Sequence, residues 1–203
     1  MNIRNRTDQQ RVCDRTSNEN ETDSEEAMHI GEIMTADSAN GIGIRLTIFV
    51  SGCLNHCPGC FQPQTWDFEY GKPYTQEMED QILEELSKPF YDGLTLLGGD
   101  PMELSNQKDL YALLQRIHTE LPTRTIWAYT GYLYDRDLVP GGKRYVEGIT
   151  DPYLDLIDVL VDGPFVEAQK RVTLNFRGSA NQRIIELKKT RKMGQIVLSP
   201  LNN

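Results

Sequence analysis

Leu46-Thr47-Ile48-Phe49-Val50-Ser51-Gly52-Cys53-Leu54-Asn55-His56-Cys57-Pro58-Gly59-Cys60 joins a strand to a loop that carries three of the chain's four cysteines. The strand reads back to residue 42, because the run is rich in β-branched residues and is bounded by Gly41 and Gly52. The cysteines follow at the spacing C-x3-C-x2-C. Three thiolates on one tight loop suit a soft metal centre, not magnesium or calcium.

Outward from this stretch the pattern alternates strand and helix. Residues 30–33 read as a short edge strand and residues 51–74 as a long loop, a length that usually serves function. Thr75 opens a helix with Met78, Ile82, Leu83 and Leu86 on one face, and Pro89 ends it. A second strand, residues 93–97, breaks at Gly98-Gly99-Asp100-Pro101. A helix over residues 105–120 follows, with Leu110, Leu113, Leu114 and Ile117 as its stripe. Further strands are expected at residues 125–129, 158–161, 182–188 and 195–198, with a helix near residues 152–156 before the second of these. Strand–helix–strand order with long crossovers predicts an α/β fold, a parallel sheet with helices outside. A closed eight-fold barrel needs roughly 200 residues or more. About 150 follow Cys53, so an incomplete, open (β/α) barrel is the expected form.

The chain has 203 residues, with 30 Asp+Glu against 21 Lys+Arg and a net charge of −9. That balance gives no general attraction to nucleic acid or to an anionic membrane. No long apolar run or charged-then-apolar leader is present, so a cytoplasmic protein is expected. A compact cysteine triplet in a reducing compartment points to metal or redox chemistry, not to a disulfide scaffold. Residues 1–27 hold no aromatic residue and few aliphatics; they read as a disordered extension, ahead of one domain over residues 28–203. Cys13, within the extension, reads as an ordinary surface thiol.

For the triplet two readings stand. Cys53, Cys57 and Cys60 can hold three corners of a [4Fe-4S] cluster and leave one iron free for a substrate. Alternatively they form a structural zinc site with His56 or His118 as fourth ligand. The Gly98-Gly99-Asp100-Pro101 turn also divides. Its glycines would let another molecule approach the backbone, with strand-end carbonyls and the Asp100 carboxylate accepting from a substrate ammonium group. Otherwise it is an ordinary strand-to-helix turn. Both motifs fall at the C-terminal ends of adjacent strands, where open α/β folds bind ligands.

Together the two motifs resemble the radical S-adenosylmethionine superfamily: Cys53-x3-Cys57-x2-Cys60 is similar to its cluster motif. Gly98-Gly99-Asp100-Pro101 is similar to its methionine-binding turn, with Asp where many members carry Glu. The chain resembles most closely the activating proteins of anaerobic (class III) ribonucleoside-triphosphate reductase. That likeness rests on Asn40-Gly41, Gly43-x-Arg45-x-Thr47, Phe49-Val50-Ser51-Gly52-Cys53 and Cys57-Pro58-Gly59-Cys60-Phe61. It continues in Thr65-Trp66, Met78-Glu79-Asp80-Gln81-Ile82, Trp127-x-Tyr129-Thr130-Gly131-Tyr132, Val159-Leu160-Val161-Asp162-Gly163 and Arg177-Gly178-Ser179-x-Asn181-Gln182.

The resemblance implies a radical SAM open barrel and two cofactors, a [4Fe-4S] cluster on Cys53, Cys57 and Cys60 and S-adenosyl-L-methionine on its fourth iron. A low-potential donor such as a flavodoxin would supply one electron. The 5′-deoxyadenosyl radical so formed would take a hydrogen atom from a glycine of the reductase large subunit, leaving a glycyl radical. S-adenosylmethionine contacts are implied at Gly98, Gly99 and Asp100. Where many superfamily members place an aromatic residue before the third cysteine this chain has Gly59, so adenine contact is implied at the backbone near Gly59, Cys60 and Phe61. No side chain is implied as a general acid or base. Related activases can carry a lysine where Asp162-Gly163-Pro164 stands; Pro164 supplies no ammonium group, and the loop is left outside the expected site. Trp127, Tyr129 and Tyr132 read first as core, and Lys188-Lys189-x-Arg191-Lys192 as a solvated edge.

Overall fold

The computed structural model describes residues 27–202. The expected disordered extension, save residue 27, and Cys13 lie outside these residues. One seven-stranded sheet is formed from β1 (His29–Asp37), β2 (Arg45–Val50), β3 (Lys72–Pro73), β4 (Gly93–Gly98), β5 (Thr125–Tyr129), β6 (Val159–Asp162) and β7 (Arg183–Glu186). Its order is β3-β1-β2-β4-β5-β6-β7.

The sheet is mixed, which corrects the expectation of a parallel one. β2, β4, β5 and β6 run parallel, whereas β1 lies antiparallel to β2 and to β3, and β7 antiparallel to β6. Loop length and direction explain the difference. β1 and β2 are joined by only a few residues, too few for a crossover. The chain after β6 stays at the C-terminal end of the parallel strands until residue 182, so β7 must run back down. The strand expected at residues 30–33 is longer than the reading gave and has β3 outside it. The strand expected from residue 42 begins at Arg45, because Gly41 and Gly43 take left-handed φ values that bend the approach. Leu187 already belongs to a helix, and residues 195–198 contribute one bridge, Ile185 with Leu198.

Helices α1 (Gln76–Ser87), α2 (Leu104–Glu120), α4 (Thr150–Asp155) and α5 (Leu187–Met193) accompany the sheet, with a short α3 (Tyr134–Asp137) before α4. Thr75 caps α1 by accepting the Met78 N–H at 3.2 Å. Pro89 holds Lys88 extended and so stops the helix. Alternate residues of the strands, Leu46, Ile48, Leu94, Leu96, Ile126, Ala128, Leu160 and Ile185, share one core with Ile82, Leu86, Leu110, Leu114 and Leu154 of the helices. The opposite face carries Trp127, Val161 and Ile184, covered by Phe176 and Leu201. The helices therefore occupy one face, and loops close part of the other.

Arg45 closes the lower end of that second face. It is fully buried, and burial lowers its pKa to about 10. The guanidinium donates to Thr95 Oγ1 at 2.6 Å, Leu94 O at 2.5 Å and Thr125 O at 2.8 Å, and lies 5.6 Å from the Trp127 ring centroid. One side chain thus ties the first residues of β2, β4 and β5. Arg45→Met strands these acceptors without water and should cost about 3 kcal/mol in urea denaturation. A loss below about 1 kcal/mol would contradict this role. No helix among the described residues is long and apolar enough to cross a membrane.

Candidate functional site

At the other end of the parallel strands lies a cleft of about 770 Å³, within the range of cofactor pockets. Cys53, Cys57, Cys60, Phe61, Gly98, Gly99 and Asp100 all line it. Gly59 does not: it turns beside Glu167, whose carboxyl carbon would lie 3.0 Å from an added Cβ. The two motifs, 38 residues apart from Cys60 to Gly98 in sequence, meet because β2 and β4 are parallel neighbours that end together, with Val50 opposite Gly98.

The glycines serve a neighbour nearer than a ligand. A Cβ at Gly99 would lie 2.5 Å from Gly52 O, and one at Gly98, where φ is +105°, would lie 2.7 Å from Phe49 Cα. Gly99 N–H donates to Val50 O at 2.6 Å, and Asp100 N–H donates to Gly52 O at 2.8 Å. Close approach here is between the chain's own turn and the backbone leading into Cys53.

Asp100 is 1% exposed, and its carboxylate is filled by protein donors. Oδ1 accepts the Met102 N–H at 2.9 Å and the Thr130 hydroxyl at 2.7 Å; Oδ2 accepts the Gly131 N–H at 2.8 Å and Asn55 Nδ2 at 3.0 Å. These four donors take the lone-pair positions a carboxylate offers. Burial pushes its pKa up to about 7, against the pull of the Met102, Thr130 and Gly131 donors. Asn106, also 1% exposed, donates to both Ser51 O at 2.9 Å and Asp100 O at 3.0 Å.

The thiols of Cys53 and Cys57 are held in their protonated form by burial. Burial, then Asp100, pushes the Cys53 thiol up to about 12, and burial raises Cys57. A bound metal centre would convert such a thiol to thiolate. Backbone N–H groups of Asn55 and Phe165 face Cys53 and Cys57. Gln62 N–H donates to Cys60 Sγ at 3.4 Å. Among the described residues no group of three or more His, Cys, Asp or Glu is gathered for a single metal ion. His56 lies against Trp66, ring centroids 4.7 Å apart. His118 sits in the last turn of α2, about 20 Å along the helix from its first turn. Three thiols lining one cleft are a donor set that fits a cluster, in which each cysteine would have its own iron.

Residues 163–181 return over the cleft, so the Asp162-Gly163-Pro164 loop does reach the site. Phe165 brings its N–H to Cys57 and its ring to within 5.6 Å of Phe61. Gln182 closes the excursion, accepting from Gly178 and Ser179 N–H and donating to Gly163 O at 3.0 Å. Trp127 and Tyr132 are core residues, as read; Tyr129 lines the cleft and its buried hydroxyl has no protein partner. Lys188, Lys189 and Arg191 pair with Asp158, Glu186 and Asp151.

Sequence reading missed Asn55, Glu103, Asn106 and Phe165. Asn106 left a signal: it lies four residues before Leu110, a polar residue in register with an apolar stripe. Asp100→Asn would turn an amide group toward donors and leave at least one backbone N–H unanswered. The iron-free protein should lose about 3 kcal/mol in urea; an unchanged midpoint would contradict the knot.

Comparison with known proteins adds the following. The family described as "4Fe-4S single cluster domain" matches residues 39–185. An anaerobic ribonucleoside-triphosphate reductase-activating protein from Salmonella typhimurium is 41% identical over 163 residues, 79% of this chain and 100% of the relative. The protein of that name from Escherichia coli K12 is 40% identical over 163 residues, with the same coverage. That from Enterobacteria phage T4 is 33% identical over 157 residues, 77% of this chain and 93% of the relative.

Proposed function

The chain belongs to the family of anaerobic ribonucleoside-triphosphate reductase-activating proteins, a 4Fe-4S family, and we propose that it uses S-adenosylmethionine to place a glycyl radical on the large subunit of that reductase. Support comes from one observation above all: the three cysteines and the Gly98-Gly99-Asp100 turn meet in a single cleft at the ends of β2 and β4. When bound, cluster and S-adenosylmethionine supply one-electron cleavage of the sulfonium, and with it a carbon radical able to take a hydrogen atom from a glycine Cα.

The chain's residues bind and orient. Cys53, Cys57 and Cys60 would hold three irons and leave the fourth without a protein ligand. Gly98 and Gly99 offer strand-end carbonyls to the ammonium group of the cofactor. The Asp100 carboxylate acts at one remove, since protein donors fill it: it fixes the turn that presents those carbonyls. Backbone at Cys60 and Phe61, which line the cleft, would flank the adenine, and Gly59 beside them would act by turning the loop. No residue serves as a general acid or base.

The same proposal covers the setting. The one-sided sheet, with helices on its outer face and the cleft at its upper end, is an incomplete radical SAM barrel formed by residues 28–203, with residues 1–27 outside it. A low-potential donor such as a flavodoxin reduces the protein in the cytoplasm, where oxygen-poor conditions spare the cluster.

Reduced protein with S-adenosylmethionine and the reductase large subunit should give a glycyl-radical doublet in electron paramagnetic resonance, absent when the large subunit is omitted. Competent cleavage of S-adenosylmethionine with no doublet would contradict the proposed target. Cys57→Ala should lose iron and cleavage together; a variant that keeps full iron would remove Cys57 from the ligand set.

A further inference from the structure

The cysteine loop rests on a second buried carboxylate to which the roles above assign nothing. Glu103, 2% exposed, precedes α2. Its Oε1 accepts the Leu54 N–H at 2.9 Å, the peptide group directly after Cys53. The same oxygen accepts the Tyr132 hydroxyl at 2.5 Å, and Oε2 lies 3.1 Å from Arg144 Nε. Arg144 also donates to Tyr132 Oη at 2.7 Å. The guanidinium sits 4.5 Å from the Tyr132 ring centroid, and the Lys143 ammonium 4.6 Å.

This arrangement differs from a surface ion pair. Both charged groups are nearly out of water, at 13% and 2% side-chain exposure for Arg144 and Glu103, so solvent screens them little. The carboxylate bonds the cysteine loop directly, whereas the guanidinium meets the carboxylate and Tyr132, brought by a loop about 40 residues further along the chain. A negative charge next to an electron-accepting centre makes that centre harder to reduce, and a positive charge makes it easier; net charge and hydrogen bonding are among the levers on cluster potential. The nearer charge has the larger effect.

On the reading that this cleft holds a cluster, we propose that Glu103 and Arg144 are positioning residues that set its reduction potential. Glu103 fixes the backbone after Cys53 through the Leu54 N–H and lowers the potential. Arg144 offsets part of that lowering and, with Tyr132, holds the carboxylate in place.

The test is anaerobic potentiometric titration of the full chain, reconstituted with iron and sulfide, at one fixed pH for all variants. Gln at position 103 keeps an acceptor for Leu54 and Tyr132 but removes the charge. Glu103→Gln should therefore keep its iron and shift to a more positive potential. At a fixed donor potential its reduced-to-oxidised ratio should rise about tenfold, about 59 mV for a one-electron couple. Arg144→Gln should shift the opposite way by a smaller amount, and the double variant should return toward the unsubstituted value. A purely structural pair would not give opposite signs. Shifts of the same sign, or none in either variant, overturn the proposal; if Glu103→Gln fails to take up iron, the sign of the Arg144→Gln shift decides. An unsubstituted chain that takes up no iron would instead overturn the reading of the cleft, and this proposal with it.

Discussion

The Asp100 carboxylate is shared by three segments far apart in sequence, and the cleft takes its shape from that sharing. Asn55 belongs to the cysteine loop, Met102 to the turn after β4, and Thr130 and Gly131 to the exit of β5. The Met102 N–H and the Thr130 hydroxyl would otherwise be buried without this partner, a cost of roughly 1–3 kcal/mol apiece, and the half-buried Asn55 and Gly131 donors line the cleft itself. A neutral side chain of the same size has too few acceptors. The glycines on either side complete the constraint, since Gly98 and Gly99 leave room for the backbone of β2 and Gly52 to lie against the turn. The position of the three thiols relative to the strand-end carbonyls is thus set by one buried carboxyl group and two missing side chains.

The two ends of the sheet solve different problems. At the N-terminal ends of β2, β4 and β5 the Arg45 guanidinium fills the space and satisfies carbonyls and hydroxyls from the strands. At the C-terminal ends the polar groups are arranged around an opening. Burial raises the Cys53 and Cys57 thiols, while N–H groups face their sulfurs. Such a site suits a centre that brings its own positive charge. Membership of a 4Fe-4S family agrees with that chemistry.

Much of this was legible in the sequence because it was local. The β-branched run before Cys53, the leucine stripe of α2, the cap at Thr75 and the cysteine spacing each follow from residues within a few positions of one another. Strand direction was less accessible. Strand–helix–strand order predicts a parallel sheet throughout, but β7 runs antiparallel because residues 163–182 remain over the cleft, a path set by Gln182 and Asn181 bonding back to Gly163 and Pro164. The part played by Asp100 was also hidden. As a sequence letter it is an acid beside a ligand-binding turn, and only the positions of Asn55, Thr130 and Gly131 show that its carboxylate faces inward. Glu103 looked like an ordinary residue at the start of a helix for the same reason: its partners, Leu54 and Arg144, lie about 40 to 50 residues away on either side.

In the proposed cluster three cysteines for four irons would leave one iron open, and the proposed chemistry depends on that vacancy. Electron paramagnetic resonance of the anaerobically reconstituted, reduced chain, recorded before and after adding S-adenosylmethionine, addresses it most directly. The account predicts a reduced-cluster signal whose shape changes on addition, because the iron without a cysteine takes up the cofactor. A signal unaltered by S-adenosylmethionine, or a colourless chain that retains zinc in place of iron, would contradict it.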